Sequence, residues 1–122
     1  MNYMLKPKNI ANRRQLGLQY EEMARHYLVT QGYTILEHNF HSRFGEIDII
    51  AKQGAYIVFI EVKYRRTKQF GYPREAVTYR KQMHIKKVAA YFLLTHVGKE
   101  APCRFDVIEI LDQRLTHIKA AF

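Results

Sequence analysis

Cysteine occurs once in this chain, at Cys103, which excludes an internal disulfide and offers no metal-ligand spacing; a lone thiol of this kind is expected to pack. No apolar run approaches the roughly 20 residues that cross a bilayer. The opening stretch MNYMLKPKNIANRR is basic and lacks the uninterrupted apolar segment of a signal peptide. No glycine-rich phosphate loop or nucleophile elbow is present. His26, His38, His41, His84, His96 and His117 form no close ligand pair such as H-E-x-x-H and read as surface or packing residues. Acid is scarce too: 11 Asp and Glu face 20 Lys and Arg, for a formal charge of +9. These absences lead to the expectation of a cytoplasmic protein with no membrane attachment. Its surplus of cations suits a polyanionic partner, and counterion release makes nucleic acid the natural one.

What is present supports one folded unit. The chain has 122 residues, 48% of them hydrophobic, enough for a single modest core. Residues 1–11 read as a basic flexible arm containing Pro7, and residues 12–122 as a single domain. A helix is expected from Asn12, with Leu16, Tyr20, Ala24, Tyr27 and Leu28 on its buried stripe and Gly32 as its stop. Strands are expected at Tyr33–Asn39, Glu46–Ala51 and Ala55–Tyr64, the last two closed into an antiparallel hairpin by Lys52-Gln53-Gly54. A polar, basic loop from Arg65 leads to a second helix starting near Pro73 and ending near Thr95, with Ile85, Val88, Ala89 and Phe92 as its apolar stripe. Cys103–Leu111 and Leu115–Lys119 complete the pattern as strands. The order is α-β-β-β-α-β with a short extra strand.

Charge then appears where a core should form. The hairpin segment GEIDIIAKQGAYIVFIEVKYRR, residues 45–66, is almost wholly apolar in its strands, yet it contains Asp48, Glu61 and Lys63. Strict alternation places Glu46, Asp48 and Ile50 on one face and Ile47, Ile49 and Ala51 on the other. In the next strand Ile57, Phe59, Glu61 and Lys63 share a face opposite Val58, Ile60 and Val62. Both faces are apolar, as in a central sheet covered on both sides. Carboxylates facing each other on neighbouring strands repel unless a proton or cation lies between them. Magnesium, which often uses one or two carboxylates plus substrate phosphate, resolves that conflict, and manganese would serve similarly. Glu21 leans toward the same core edge from the line Gly17, Glu21, Ala24, Leu28, and Lys81 aims from the second helix along Lys81, Ile85, Val88, Phe92. Singly, each has an ordinary structural explanation: E-x-K is a common surface pair, and Glu21 could pair with Arg25. Together they are harder to dismiss, because unpaired buried charges cost several kcal/mol each.

The chemistry suits phosphodiester hydrolysis, with Asp48, Glu61 and Glu21 as metal ligands. Lys63 would position or deprotonate the attacking water, or neutralise developing charge; its place in the sequence leaves these roles open. Around this site Arg43, Tyr64, Arg65, Arg66, Lys68 and Lys81 are candidates for gripping nucleic acid, with Tyr64 available to stack a base.

Glu21-x-x-Ala24, Gly32-Tyr33, Asn39, Gly45-Glu-Ile-Asp48, Phe59-Ile-Glu61-Val-Lys63-x-Arg65, Lys81 and Arg104-Phe-Asp106 occur in that order. The combination resembles the bacterial YraN-like family, an uncharacterised group placed in the restriction-endonuclease-like PD-(D/E)XK superfamily and similar to archaeal Holliday-junction resolvases. The resemblance implies a three-layer α/β/α fold around a central mixed sheet. It also implies a catalytic D…ExK set of Asp48, Glu61 and Lys63, with Glu21 as the helix carboxylate. The chain departs from the family pattern at Tyr20, where glycine is usual, and at His41, where arginine is usual. The expectation is a magnesium-dependent nuclease acting on DNA, including branched or structured DNA, as a homodimer if the substrate is two-fold. The alternatives are a non-catalytic nucleic-acid-binding module within a repair or processing complex, and a basic adaptor for a protein partner.

Overall fold

The computed structural model describes residues 13–65 and 77–122. The expected basic arm, the Asn12 cap, Arg66, Lys68 and Pro73 lie outside these residues. The helical repeat of Leu16, Tyr20, Ala24, Tyr27 and Leu28 forms α1 (Arg13–Thr30). Gly32, at φ +89°, ends it, and the Tyr33 N–H donates back to the Leu28 carbonyl at 2.9 Å. Three strands follow as an antiparallel meander: β1 (Thr34–Ser42), β2 (Gly45–Gln53) and β3 (Tyr56–Arg65). β1 runs on past Asn39 to Ser42, so β1 and β2 form a second hairpin turning at Arg43 and Phe44. Gly45 opens β2 at φ +132°, a conformation that glycine alone adopts readily.

The second helix, α2 (Tyr79–Phe92), starts later than the proline suggested. Thr78 caps it, its hydroxyl oxygen accepting the Lys81 N–H at 3.2 Å. A π-helical turn, Leu93–Val97, carries the helix on to Gly98 at φ +75°. β4 (Cys103–Leu111) returns parallel to β3, and β5 (Arg114–Ile118) closes the edge antiparallel to β4. Cys103 is exposed at the start of β4 rather than packed.

The sheet order is β1-β2-β3-β4-β5, with one parallel pair among antiparallel ones. Alternation along β3 divides the core. Val58 and Ile60 join the α1 residues Tyr20, Met23, Ala24 and Leu28, whereas Ile57 and Phe59 join the α2 residues Ile85, Val88, Ala89 and Phe92. A helix therefore covers each face of a mixed sheet, the three-layer α/β/α arrangement expected from the sequence. Among the described residues no helix is long and apolar enough to cross a membrane.

Candidate active site

β2 and β3 pair from Gln53↔Tyr56 to Ile49↔Ile60 and no further. At the next position the Asp48 carboxylate takes over: its Oδ2 accepts the Val62 N–H at 2.8 Å, a bond to the neighbouring backbone in place of a ladder bond. The side-chain phase changes here as well. Strict alternation groups Ile47 with Ile49 and Ala51, but Ile47 packs with Ile50 on the α2 side while Ile49 and Ala51 pack on the α1 side. This phase change corrects the face assignment made for β2. It occurs at Asp48, so the carboxylate sits where it interacts with groups from both layers.

From the α2 side come Glu61, 3% exposed, and Lys81, whose Nζ lies 3.4 Å from Glu61 Oε2. From the α1 side comes Glu21. Burial raises the Asp48 carboxyl above its usual range, against the opposing pull of the Val62 N–H and the charges of Lys81 and Lys63. Burial and then the Asp48 charge push Glu61 up to about 7, again opposed by Lys81 and Lys63. Burial and Asp48 also raise Glu21, with a hydrogen bond from the Asn39 side chain and the Arg25 charge pulling the other way. Asp48 thus acts on both glutamates, and Lys63 and Lys81 both act on the Asp48–Glu61 pair.

Among the described residues no three His, Cys, Asp or Glu side chains stand close enough to enclose a metal ion. The donors present fit a looser hold, in which two carboxylates bind magnesium or manganese and water and phosphate complete the shell. Glu21 supports that fit: its Oε2 is buried and has no hydrogen-bond partner among the described residues.

The outer candidates separate. Arg43 lies exposed in the β1–β2 turn with its guanidinium 4.9 Å from the Phe44 ring centre. Tyr64 stacks on Tyr20 at 3.9 Å between ring centres, so the ring expected to receive a base is engaged in the α1-side core. That contact also gives a role to Tyr20, one of the two departures from the family pattern. Arg65 turns inward to Glu109, with Nε 3.0 Å from Oε1 and both side chains largely buried. Glu109 is the site neighbour that sequence reasoning missed. It stands beside Lys63 in the parallel β3–β4 register and shares the sign that singled out Glu61, a carboxylate inside an apolar strand. His41, the second departure, pairs with Glu46 at 3.2 Å.

The sequence pattern of the uncharacterised protein family UPF0102 matches residues 20–110. A UPF0102 protein of Thermodesulfovibrio yellowstonii is 52% identical over 108 residues, covering 88% of this chain and 96% of its own. One from Caldicellulosiruptor saccharolyticus is 52% identical over 99 residues, covering 81% and 84%. One from Clostridioides difficile is 43% identical over 113 residues, covering 91% and 99%. The chain belongs to UPF0102. The UPF0102 match opens one residue before Glu21 and closes one after Glu109, so Asp48, Glu61, Lys63 and Lys81 also fall inside it. β5, with His117, falls beyond it.

Proposed function

We propose that this protein is a metal-dependent nuclease that hydrolyses phosphodiester bonds in DNA. The observation that carries the reading is the Asp48–Glu61 pair, two largely buried carboxylates with raised proton affinity, Asp48 through burial and Glu61 through burial and the Asp48 charge, at the end of a central hairpin and flanked by Lys63 and Lys81. Keeping such a pair ionised is costly even with Lys81 beside Glu61, and a shared divalent cation would offset that cost. Asp48 and Glu61 would hold magnesium or manganese, with Glu21 as an outer carboxylate beside Asp48. The metal would supply Lewis-acid polarisation of the phosphate and an acidified water.

The chain's own groups account for the rest. The Val62 N–H fixes the orientation of Asp48, and Lys81 restrains Glu61. Lys63 projects on the Glu61 side of β3, where its ammonium can stabilise charge as it develops on phosphate. A net charge of +9 brings the polyanion to the surface.

The test is a cleavage panel with magnesium or manganese over linear duplex, single-stranded, flap and four-way-junction DNA, comparing the wild type with Asp48→Asn and Lys63→Ala. Cutting of at least one substrate, lost in both variants, is expected. Binding should weaken linearly with the logarithm of salt concentration. Binding without cutting of any substrate would overturn the catalytic reading in favour of a non-cleaving module. The Lys81–Glu61 contact is the observation on that module's side, because it partly neutralises Glu61 without a metal. Light scattering of the junction complex reads whether two copies of the chain engage a two-fold substrate.

A further inference from the structure

α1 carries a glycine at Gly17, one turn before Glu21 on the same helical line. Glycine inside a helix is destabilising relative to alanine. Nothing in the fold asks for it. Its φ is not positive, and a Cβ built there meets no atom within 4 Å. The missing side chain opens instead onto a cleft of about 330 Å³ between α1 and the β1–β2 hairpin. Arg14, Leu18 and Glu21 line it from α1, Asn39 and His41 from β1, and Glu46 from β2. Leu18 remains 47% exposed at this wall although it is apolar. Glu21 belongs to both places, lining the cleft and interacting with Asp48, and its Oε2 has no hydrogen-bond partner among the described residues.

We propose that this cleft holds one unpaired nucleotide of the substrate strand, next to the phosphate presented to Asp48 and Glu61. The inference rests on the nuclease reading and narrows its substrate class. A volume of about 330 Å³ is at the small end of ligand sites and suits one nucleotide rather than a base pair. Leu18 and the bare backbone at Gly17 offer a flat apolar surface for a base. The Asn39 amide offers a donor and an acceptor for its edge. Arg14 supplies donors for a flanking phosphate, while His41 is held by Glu46. A fully paired strand has no free base to offer, so the substrate would be a flap, a branch point or a single strand.

The test uses three matched labelled oligonucleotides: a blunt duplex, the same duplex with one unpaired nucleotide, and that duplex with the unpaired nucleotide abasic. Wild-type protein should favour the unpaired substrate roughly tenfold, in keeping with the value of one base contact, and the abasic version should lose the preference. Gly17→Leu, which fills the cleft, should abolish the preference, and a circular dichroism melt of the same protein checks that it folds. Gly17→Ala should raise the melting temperature by about 2–5 °C through helix propensity, yet reduce the preference. If Gly17→Leu keeps the wild-type preference, or the abasic substrate binds as well as the intact one, the cleft assignment is overturned and the nuclease reading stands. If the wild type neither binds nor cuts any of the three, nor any substrate in the cleavage panel, both readings are overturned together.

Discussion

The Val62 N–H donates to Asp48 Oδ2 at 2.8 Å, so this carboxylate serves the strand backbone as well as any ligand. The two roles can be separated. Asp48→Asn keeps an oxygen acceptor for the amide and removes the charge, whereas Asp48→Ala also leaves the amide without its partner. Asp48→Ala should therefore lose about 1–2 kcal/mol of stability relative to Asp48→Asn in urea melts, while both lose cleavage. Glu61 presents the opposite balance. Its carboxyl moves from 4.5 to about 7, so the folded chain holds the proton more tightly than the unfolded chain. Stability then falls as pH rises through that window, and the full penalty is present above it. In chelator at pH 8, Glu61→Gln should be more stable than the wild type by as much as about 3 kcal/mol. The difference should shrink at pH 5, and a variant equal to the wild type at both pH values would count against a destabilising carboxylate.

At the scale of elements, the first turn of α2 matters more than its length suggests. Thr78 accepts the Lys81 N–H, and the same lysine reaches Glu61 at 3.4 Å. Cap and site therefore share one turn of helix. Thr78→Ala should cost about 1 kcal/mol and lower the melting temperature by about 3–6 °C, and Thr78→Ser should restore most of it. Differential scanning calorimetry on the three proteins checks this. The parallel β3–β4 pair plays a comparable part on the other side of the site. It places Glu109 beside Lys63, and Glu109 in turn engages Arg65 at the end of β3.

At the scale of the whole molecule, a buried polar clasp on the α1 side joins segments far apart in the chain. Asp106 is fully buried and accepts two bonds from Arg104, at 2.9 Å each, one from the Ala120 N–H at 2.9 Å, and a contact from His117 Nε2 at 2.7 Å. Arg104 also donates to the Tyr33 hydroxyl and to Gln53, and His117 Nδ1 bonds the Tyr27 hydroxyl. Burial alone would raise the Asp106 carboxyl, but the bonds from His117, Arg104 and Ala120 outweigh it and hold the carboxyl below its usual range. A depressed carboxylate stabilises the fold above its unfolded value of 3.8, and that contribution is lost as pH falls through the folded value. Acid titration below about pH 4 should show a stability loss in the wild type that is blunted in Asp106→Asn. That variant should already be weaker by about 3–5 kcal/mol at pH 7, because it removes one charge from a buried pair. Circular dichroism across the pH series checks both statements.

Periodicity and charge placement, both readable along the chain, were enough to order the elements and to mark Asp48, Glu61 and Lys63 as misfits in apolar strands. The period of a helix or strand is a local property, and a carboxylate in a buried strand is visible without knowing its neighbours. Glu21 and Lys81 were legible for the same reason, as polar residues on lines that otherwise point inward. The phase change at Asp48 was not legible, because it depends on a side chain replacing a ladder bond with β3. Nor were the engagement of Tyr64 with Tyr20, the inward turn of Arg65 to Glu109, or the Asp106 clasp. Each of these depends on how strands and helices distant in sequence come to lie side by side, which alternation cannot encode. The residues themselves determined that charge would be buried in the central hairpin. Only the packing of one helix on each face of a mixed sheet decided which charges meet there, because burial and mutual distance together set their proton affinities.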